Sequence, residues 1–368
     1  MHRPRVLVVD DSVVVRRLVS KALEAEGEVE VVGVAADGAI ALVNIERLHP
    51  DVVILDVAMP VMDGLTALAE IRQRWPGLPV IMFSTLTSRG AEVTLDALAL
   101  GASDYVLKPS STDPESAMAD MRAQLLPRIA ALLPQAREAR ERTARAGERA
   151  ARPSGVTRPS GPPERIDVIA IGVSTGGPTA LAELIPSLPA DLPVPVAVVQ
   201  HMPPMFTKIL AERLDHKSAL SVAEAADGDR LRAGHVAIAP GDRHLSVVER
   251  DRDHVHVYDG PHENSCRPSV DPLFRSVAAA YGPHALGIVM TGMGSDGMRG
   301  ALQLHAAGAR VIVQDEASSV VWGMPGFVVQ SGIADAIVPL AGLSAEIERR
   351  LDVGRVRAPL RSPVGVGP

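Results

Sequence analysis

IDVIAIGVSTGGP, residues Ile166–Pro178, decides the fold of the second half of this 368-residue chain. Val168 to Gly172 is a short, wholly apolar run, as in a strand covered on both faces of a parallel sheet. It breaks at Val173-Ser174-Thr175, and two glycines follow. Pro178 stands where a helix can start, because its fixed φ and missing N–H suit the first turn. Gly172-Val173-Ser174-Thr175-Gly176 also fits G-x-S-x-G, a serine on a sharp strand-to-helix turn. Such a turn lifts the hydroxyl out of the sheet and frees nearby N–H groups for an anion. The same glycines equally suit a phosphate cradle or a plain tight loop, so the motif alone leaves the choice open.

Downstream, strand and helix signals alternate from 166 to about 350. A second apolar run, PVPVAVVQ, ends at His201. Ala285–Met290 runs into TGMGSDG, which holds Asp296. A hairpin-rich insert lies between them, with strands expected at Val236–Ala239, Leu245–Glu249 and Val255–Tyr258. If the apolar strands are parallel, Ser174, His201 and Asp296 share one edge of the sheet. Together they are the nucleophile, base and orienter of a Ser-His-Asp relay. Their chain order differs from the Ser…Asp…His of α/β-hydrolases, which points to a Rossmann-like sheet that reached the relay separately. His254, His256 and His262 alternate like a half-exposed hairpin rather than a metal site. His235, His244, His284 and His305 read as surface or loop residues. Cys266 follows no strand and has no neighbouring base in the sequence, so it reads as an inert thiol. Arg267 is either a ligand for substrate oxygens or half of a surface ion pair.

Upstream, residues 1–133 repeat the pattern with strands at Arg5–Val9, Val29–Ala35, Val52–Leu55, Val80–Phe83 and Tyr105–Leu107. Helix faces are marked by Val15, Leu18 and Ala22, and by Met118, Met121, Leu125, Ile129 and Leu132. Strands alternating with helices predict a doubly wound parallel sheet, so the fold class is α/β with two such domains. Asp10, Asp11, Asp56, Ser84 and Lys108 all fall at strand ends, hence in one crevice. Three carboxylates there repel one another unless a hard cation such as Mg²⁺ sits among them. Helix capping accounts for one such aspartate but not for three with a lysine.

Residues 134–164 are rich in Arg, Glu, Ala, Pro and Gly and read as a flexible linker, helical at most through Arg149. The catalytic part is expected at 165–350 and a disordered tail at 351–368. The net charge of −7 and 2% aromatic content disfavour nucleic acid as a partner. The single cysteine fits a reducing cytoplasm. No signal peptide or bilayer-spanning run is visible, so a cytoplasmic protein without membrane insertion is expected.

The first half resembles a response-regulator receiver domain through Asp10-Asp11, Asp56 in DVAMPVMDG, Ser84 in IMFST and Lys108-Pro109. The resemblance implies that Asp56 accepts a phosphoryl group from a chemotaxis histidine kinase. It implies Mg²⁺ at Asp11, Asp56 and the Ala58 carbonyl, with Asp10 nearby, and a switch made of Ser84, Tyr105 and Lys108. Ala58 stands where related methylesterases often have glutamate. The second half resembles the catalytic domain of chemotaxis protein-glutamate methylesterases. GVSTGGP, QHMPPMFT (Gln200–Thr207), IAPGDRH (Ile238–His244), RPSVD (Arg267–Asp271), TGMGSDG (Thr291–Gly297) and WGMP (Trp322–Pro325) carry the likeness. Cys266 departs from the histidine usual before RPSVD. This resemblance implies a phosphorylation-activated serine hydrolase at membrane receptor arrays. It would remove methyl esters from chemoreceptor glutamates and deamidate receptor glutamines, with no cofactor for the ester chemistry. Thr175 and Met293 are the expected oxyanion-hole donors. Two other readings are a phosphorylation-controlled binding module with an inactive hydrolase fold, and a paralogue serving a non-chemotactic array. A dinucleotide enzyme is disfavoured because the next strand ends in Gln200-His201, not in an acidic residue.

Overall fold

The computed structural model describes residues 3–111, 113–133 and 164–354. Apart from Glu164, the expected linker lies outside the described residues, as do residues 355–368 of the expected tail.

In the first unit β1 (Arg5–Val9), β2 (Glu30–Ala35), β3 (Val52–Asp56), β4 (Val80–Ser84) and β5 (Asp104–Leu107) pair in the order β2-β1-β3-β4-β5, all parallel. This is the flavodoxin-like order. The helices are α1 (Val13–Glu24), α2 (Gly38–Leu48), α3 (Gly64–Arg74), α4 (Ser88–Ala99) and α5 (Pro114–Leu132). β3 and β4 are buried at every residue, which explains why they are apolar up to the polar residue that ends each, Asp56 and Ser84. Ser12, Asp37, Asp63, Thr87 and Asp113 cap the five helices through their side chains. None of the crevice aspartates is spent as a cap.

The second unit is one seven-stranded parallel sheet. It contains β6 (Val168–Val173), β7 (Val196–Gln200), β8 (Ser221–Glu224), β9 (His235–Ile238), β12 (Ala285–Val289), β13 (Arg310–Gln314) and β14 (Ala336–Val338), in the order β14-β13-β12-β6-β7-β9-β8. Among the described residues, β10 (His244–Val247) and β11 (Val255–Tyr258) form a separate antiparallel hairpin. The run expected as the first strand of the insert, Val236–Ala239, is therefore corrected: β9 pairs in parallel with β7 and β8. Its Val236 and Ile238 are buried in the sheet. The chain leaves β6 toward β7 on one side and returns to β12 on the other. β6 is thus the point where strand order reverses, and a crevice opens at its carboxyl end.

The helices of this unit are α6 (Gly177–Ser187), α7 (Phe206–Lys217), α8 (Val270–Tyr281), α9 (Met298–Ala306), α10 (Met324–Gln330) and α11 (Leu343–Leu351). α11 ends on Leu351, buried in the core, so Leu351 does not belong to a disordered tail. The two units pack together: α4 of the first lies on α6 and α7 of the second. Tyr105 on β5 stacks on Phe206 with ring centroids 5.1 Å apart.

Candidate active site and its regulatory partner

The elbow after β6 is held by backbone bonds. Ser174 N–H donates to Thr291 O at 3.0 Å and Gly177 N–H to Ser174 O at 2.8 Å. Gly176 has φ +77°, and a Cβ there would meet Val320 at 2.6 Å, so glycine is required twice over. From β7, the Gln200 amide donates to the carbonyls of Ser174 (3.0 Å) and His201 (3.2 Å), tying the two strand ends together. Gly292 closes the third side: a Cβ on it would lie 2.8 Å from Ser174 Cβ. The loop that carries Asp296 is therefore packed directly against the serine.

His201 Nε2 and Asp296 Oδ2 are 2.7 Å apart. Asp296 also accepts from Val270 N–H (2.6 Å), Ser269 Oγ (2.7 Å), Asn264 Nδ2 (2.8 Å) and its neighbour Gly297 N–H (2.9 Å). Val270 opens α8, so the carboxylate also sits at the positive end of a helix. Burial pushes the Asp296 carboxyl up, but His201 and these donors outweigh it and bring it down to about 2. For His201 burial pulls the imidazole down, and the Asp296 and Cys266 partners together lift it to about 10. With Nε2 committed to the carboxylate, the open ring nitrogen is Nδ1.

The partner at Nδ1 is unexpected. Cys266 Sγ lies 3.6 Å from it, so the thiol read as having no adjacent base has one. That base stands 65 residues away in the chain and reaches the thiol only through the fold. Among the described residues no hydrogen bond joins Ser174 Oγ to His201, although both occupy the same rim. Serine–imidazole bonds of free hydrolases are often long and tighten with substrate. No acceptor takes the N–H of Thr175 or of Met293 among the described residues, which leaves both donors open. Arg267 is an ion-pair residue: its fork meets Asp242 Oδ1 at 2.6 and 2.8 Å and the Gly260 carbonyl at 2.8 Å. His244, expected at the surface, is buried instead, with Nδ1 accepting from Ser269 N–H and Nε2 against the Pro261 carbonyl. His254 and His256 pair with Asp251 and Asp227.

In the receiver crevice Asp56 ends β3. Lys108 Nζ lies 2.9 Å from Asp56 Oδ2 and 2.8 Å from Asp10 Oδ2. Burial raises the Asp56 carboxyl, and Lys108 offsets this only in part. Lys108 itself is pulled down by burial but raised overall by its two carboxylates. Oxygens of Asp10, Asp11 and Asp56 all fall within 4.8 Å of one another, a hard donor set that suits Mg²⁺. The Ser84 hydroxyl faces the first turn of α4, 3.3 Å from the Gly90 carbonyl.

The crevices are joined by contacts the sequence does not announce. Asp104 on β5 is buried, and its Oδ2 accepts from Arg128 Nε at 3.0 Å and from Thr175 Oγ1, beside the candidate nucleophile, at 2.9 Å. Thr179 Oγ1 donates to Leu98 O at 3.1 Å, and Arg213 reaches Asp96 and the Glu92 carbonyl, each at 2.7 Å. Val321 is buried in the same apolar cluster as Val106 and Met121, with Met293 packed against it. A crevice of about 330 Å³ remains, lined by His201, Cys266 and Arg267 on one side and Tyr105 and Arg128 on the other.

Residues 169–347 match the family model described as CheB methylesterase, and residues 6–118 match that of the response regulator receiver domain. A protein-glutamate methylesterase/protein-glutamine glutaminase of Trichodesmium erythraeum is 46% identical over 358 residues, 95% of this chain and 100% of the relative. One from a Nocardioides species is 48% identical over 362 residues, 94% of this chain and 95% of the relative. Among solved structures, the Thermotoga maritima CheB methylesterase catalytic domain is 40% identical with a TM-score of 0.49, covering 50% of this chain and 99% of that one.

Proposed function

The chain belongs to the CheB methylesterase family, with a receiver domain ahead of the catalytic part, and from that premise we propose a specific division of labour among its residues. The protein is a phosphorylation-activated serine hydrolase acting in chemotaxis adaptation. It removes methyl esters from glutamate side chains of chemoreceptors and deamidates receptor glutamines.

Ser174 Oγ attacks the ester carbonyl while His201 Nδ1 takes its proton, in the fraction of the enzyme whose imidazole has first released its own. Asp296 holds Nε2–H and stabilises the imidazolium that forms. The oxyanion is received by the N–H groups of Thr175 and Met293. His201 then returns the proton to the leaving oxygen, and methanol departs. Water, deprotonated by the same nitrogen, attacks the glutamyl–serine ester, and Ser174 recovers its proton as the glutamate carboxylate leaves. For glutamine the leaving group is ammonia. The observation that carries this reading is the 2.7 Å contact of His201 Nε2 with Asp296 at the rim where Ser174 sits. Methanol release from methylated receptor tests it: Ser174→Ala should abolish turnover while phosphorylation continues, and a variant that still releases methanol would refute the assignment.

In the receiver, Asp56 accepts the phosphoryl group from a chemotaxis histidine kinase. Asp11, Asp56 and the Ala58 carbonyl, with Asp10 nearby, would hold Mg²⁺, which when bound offsets the charge of the acidic crevice. Lys108 pairs with the new dianion, and Ser84 leaves Gly90 to reach it. Gly90 belongs to α4, the helix that grips α6 and α7, so that movement loosens the contact covering the catalytic rim. Among the described residues no helix is long and apolar enough to cross a membrane. The receptor, not the chain, would bring the reaction to the bilayer.

A further inference from the structure

Cys266 and His201 set a thiol and an imidazole nitrogen side by side, Sγ 3.6 Å from Nδ1. A tetrahedral ion with Zn–S of about 2.3 Å and Zn–N of about 2.05 Å holds its sulfur and nitrogen ligands about 3.6 Å apart. The far ring nitrogen is already tied to Asp296 at 2.7 Å. Metal-binding histidines ordinarily carry such an outer carboxylate, which fixes the tautomer and the ring plane. Asp296 stays in that outer role, because Ser269, Val270, Asn264 and Gly297 already occupy its oxygens. Cys266 lines the crevice of about 330 Å³ left beneath Tyr105 and Arg128, room enough for a hydrated ion while the receiver covers the rim.

We propose that Cys266 Sγ and His201 Nδ1 form a binding site for a soft divalent cation, zinc being the ordinary case, and that occupancy reversibly blocks hydrolysis. On binding, the thiol proton and the Nδ1 proton of the imidazolium leave to bulk water, sulfur and Nδ1 each give a lone pair to the ion, and waters complete its shell. The block rests on the serine-hydrolase reading, since the Nδ1 lone pair that would take the proton of Ser174 is then engaged. The receiver's three carboxylates are hard donors suited to Mg²⁺, whereas a thiolate selects softer ions, so the two sites draw on different metals.

Cys266 is the sole cysteine of the chain, which makes thiol chemistry on the full-length protein unambiguous. Zn²⁺ should slow modification of Cys266 by a disulfide reagent about tenfold or more, with EDTA restoring the rate and His201→Asn removing the protection. Co²⁺ in place of Zn²⁺ should give a thiolate-to-metal charge-transfer band in wild type and none in Cys266→Ser. Each enzyme measured against its own metal-free rate, Cys266→Ser should need about tenfold more Zn²⁺ for half-inhibition. Unslowed modification of wild-type Cys266 overturns the site, as does inhibition of both enzymes at the same Zn²⁺ concentration. Protection and a charge-transfer band without inhibition would uphold the site and sink the assignment of Nδ1 as the base.

Discussion

Asp56 and Asp296 occupy comparable places, each at the carboxyl edge of a parallel sheet and almost fully buried, yet their carboxyls move in opposite directions. Burial pushes both up. At Asp296 an imidazole, a helix N-terminus and several N–H and O–H donors win, and the group falls to about 2. At Asp56 the lysine and the Ala58 N–H are too few, with Asp10 alongside, and the group stays raised. The difference lies in how much of each carboxylate's need is met in advance. A fully satisfied carboxylate serves as a fixed orienting charge. An under-satisfied one, crowded by its own kind, is open to a cation and, on the proposed reading, to a phosphoryl group.

Replacing each aspartate by asparagine puts the contrast to its hardest test. Asp296→Asn should lower kcat by about 10⁴-fold through loss of the imidazole's orientation and charge partner, read as methanol release. A variant with near wild-type turnover would leave the relay without its third member. Asp56→Asn should keep the basal rate and lose all stimulation by a small-molecule phosphodonor. Continued stimulation would place the acceptor elsewhere. Asp104→Ala cuts the Thr175 bond that ties the units together, along with the Arg128 bond inside the first unit. Its basal rate should rise about tenfold, on the scale of ordinary coupling energies of 1–3 kcal/mol, and an unchanged rate would mean that this bond does not hold the cover in place.

The smallest effect expected concerns stability. The Asp296 carboxyl falls from 3.8 to about 2 and the His201 imidazole rises from 6.5 to about 10. The depressed acid stabilises the fold above 3.8 and loses this as pH falls through about 2. The raised base stabilises it below 6.5 and loses this as pH climbs through about 10. The melting-temperature gap between wild type and Asp296→Asn should therefore be widest between pH 4 and pH 6.5, roughly, and close toward both ends. A gap that does not vary with pH would show that the pair is not charged in the folded state.

Much of this was legible in the sequence, for a physical reason. Strands buried on both faces, such as VVIL of β3 and VAVV of β7, have no choice but to be apolar until their last residue. The residue that follows such a strand at a crevice is free to carry chemistry, hence Ser174, His201, Asp10 and Lys108. β8, SVAE, eluded the reading because it is a short edge strand with one buried residue. Cys266, Asn264 and Ser269 eluded it as well. They reach His201 and Asp296 from a loop, by packing rather than by spacing. Asp104 gave no signal either, since its partner Thr175 belongs to the other unit.

The bond from Asp104 to Thr175 has a thermodynamic corollary. Asp104 heads β5, and Lys108, one residue past the other end of that strand, grips Asp56, the proposed acceptor. If acquiring a phosphate frees the rim for a receptor helix, then a receptor helix occupying the rim must favour the phosphate by an equal factor. Methylated receptor is on this account an allosteric ligand as well as a substrate: its presence should raise the share of enzyme phosphorylated at a given phosphodonor level, so that work waiting to be done strengthens the signal to do it.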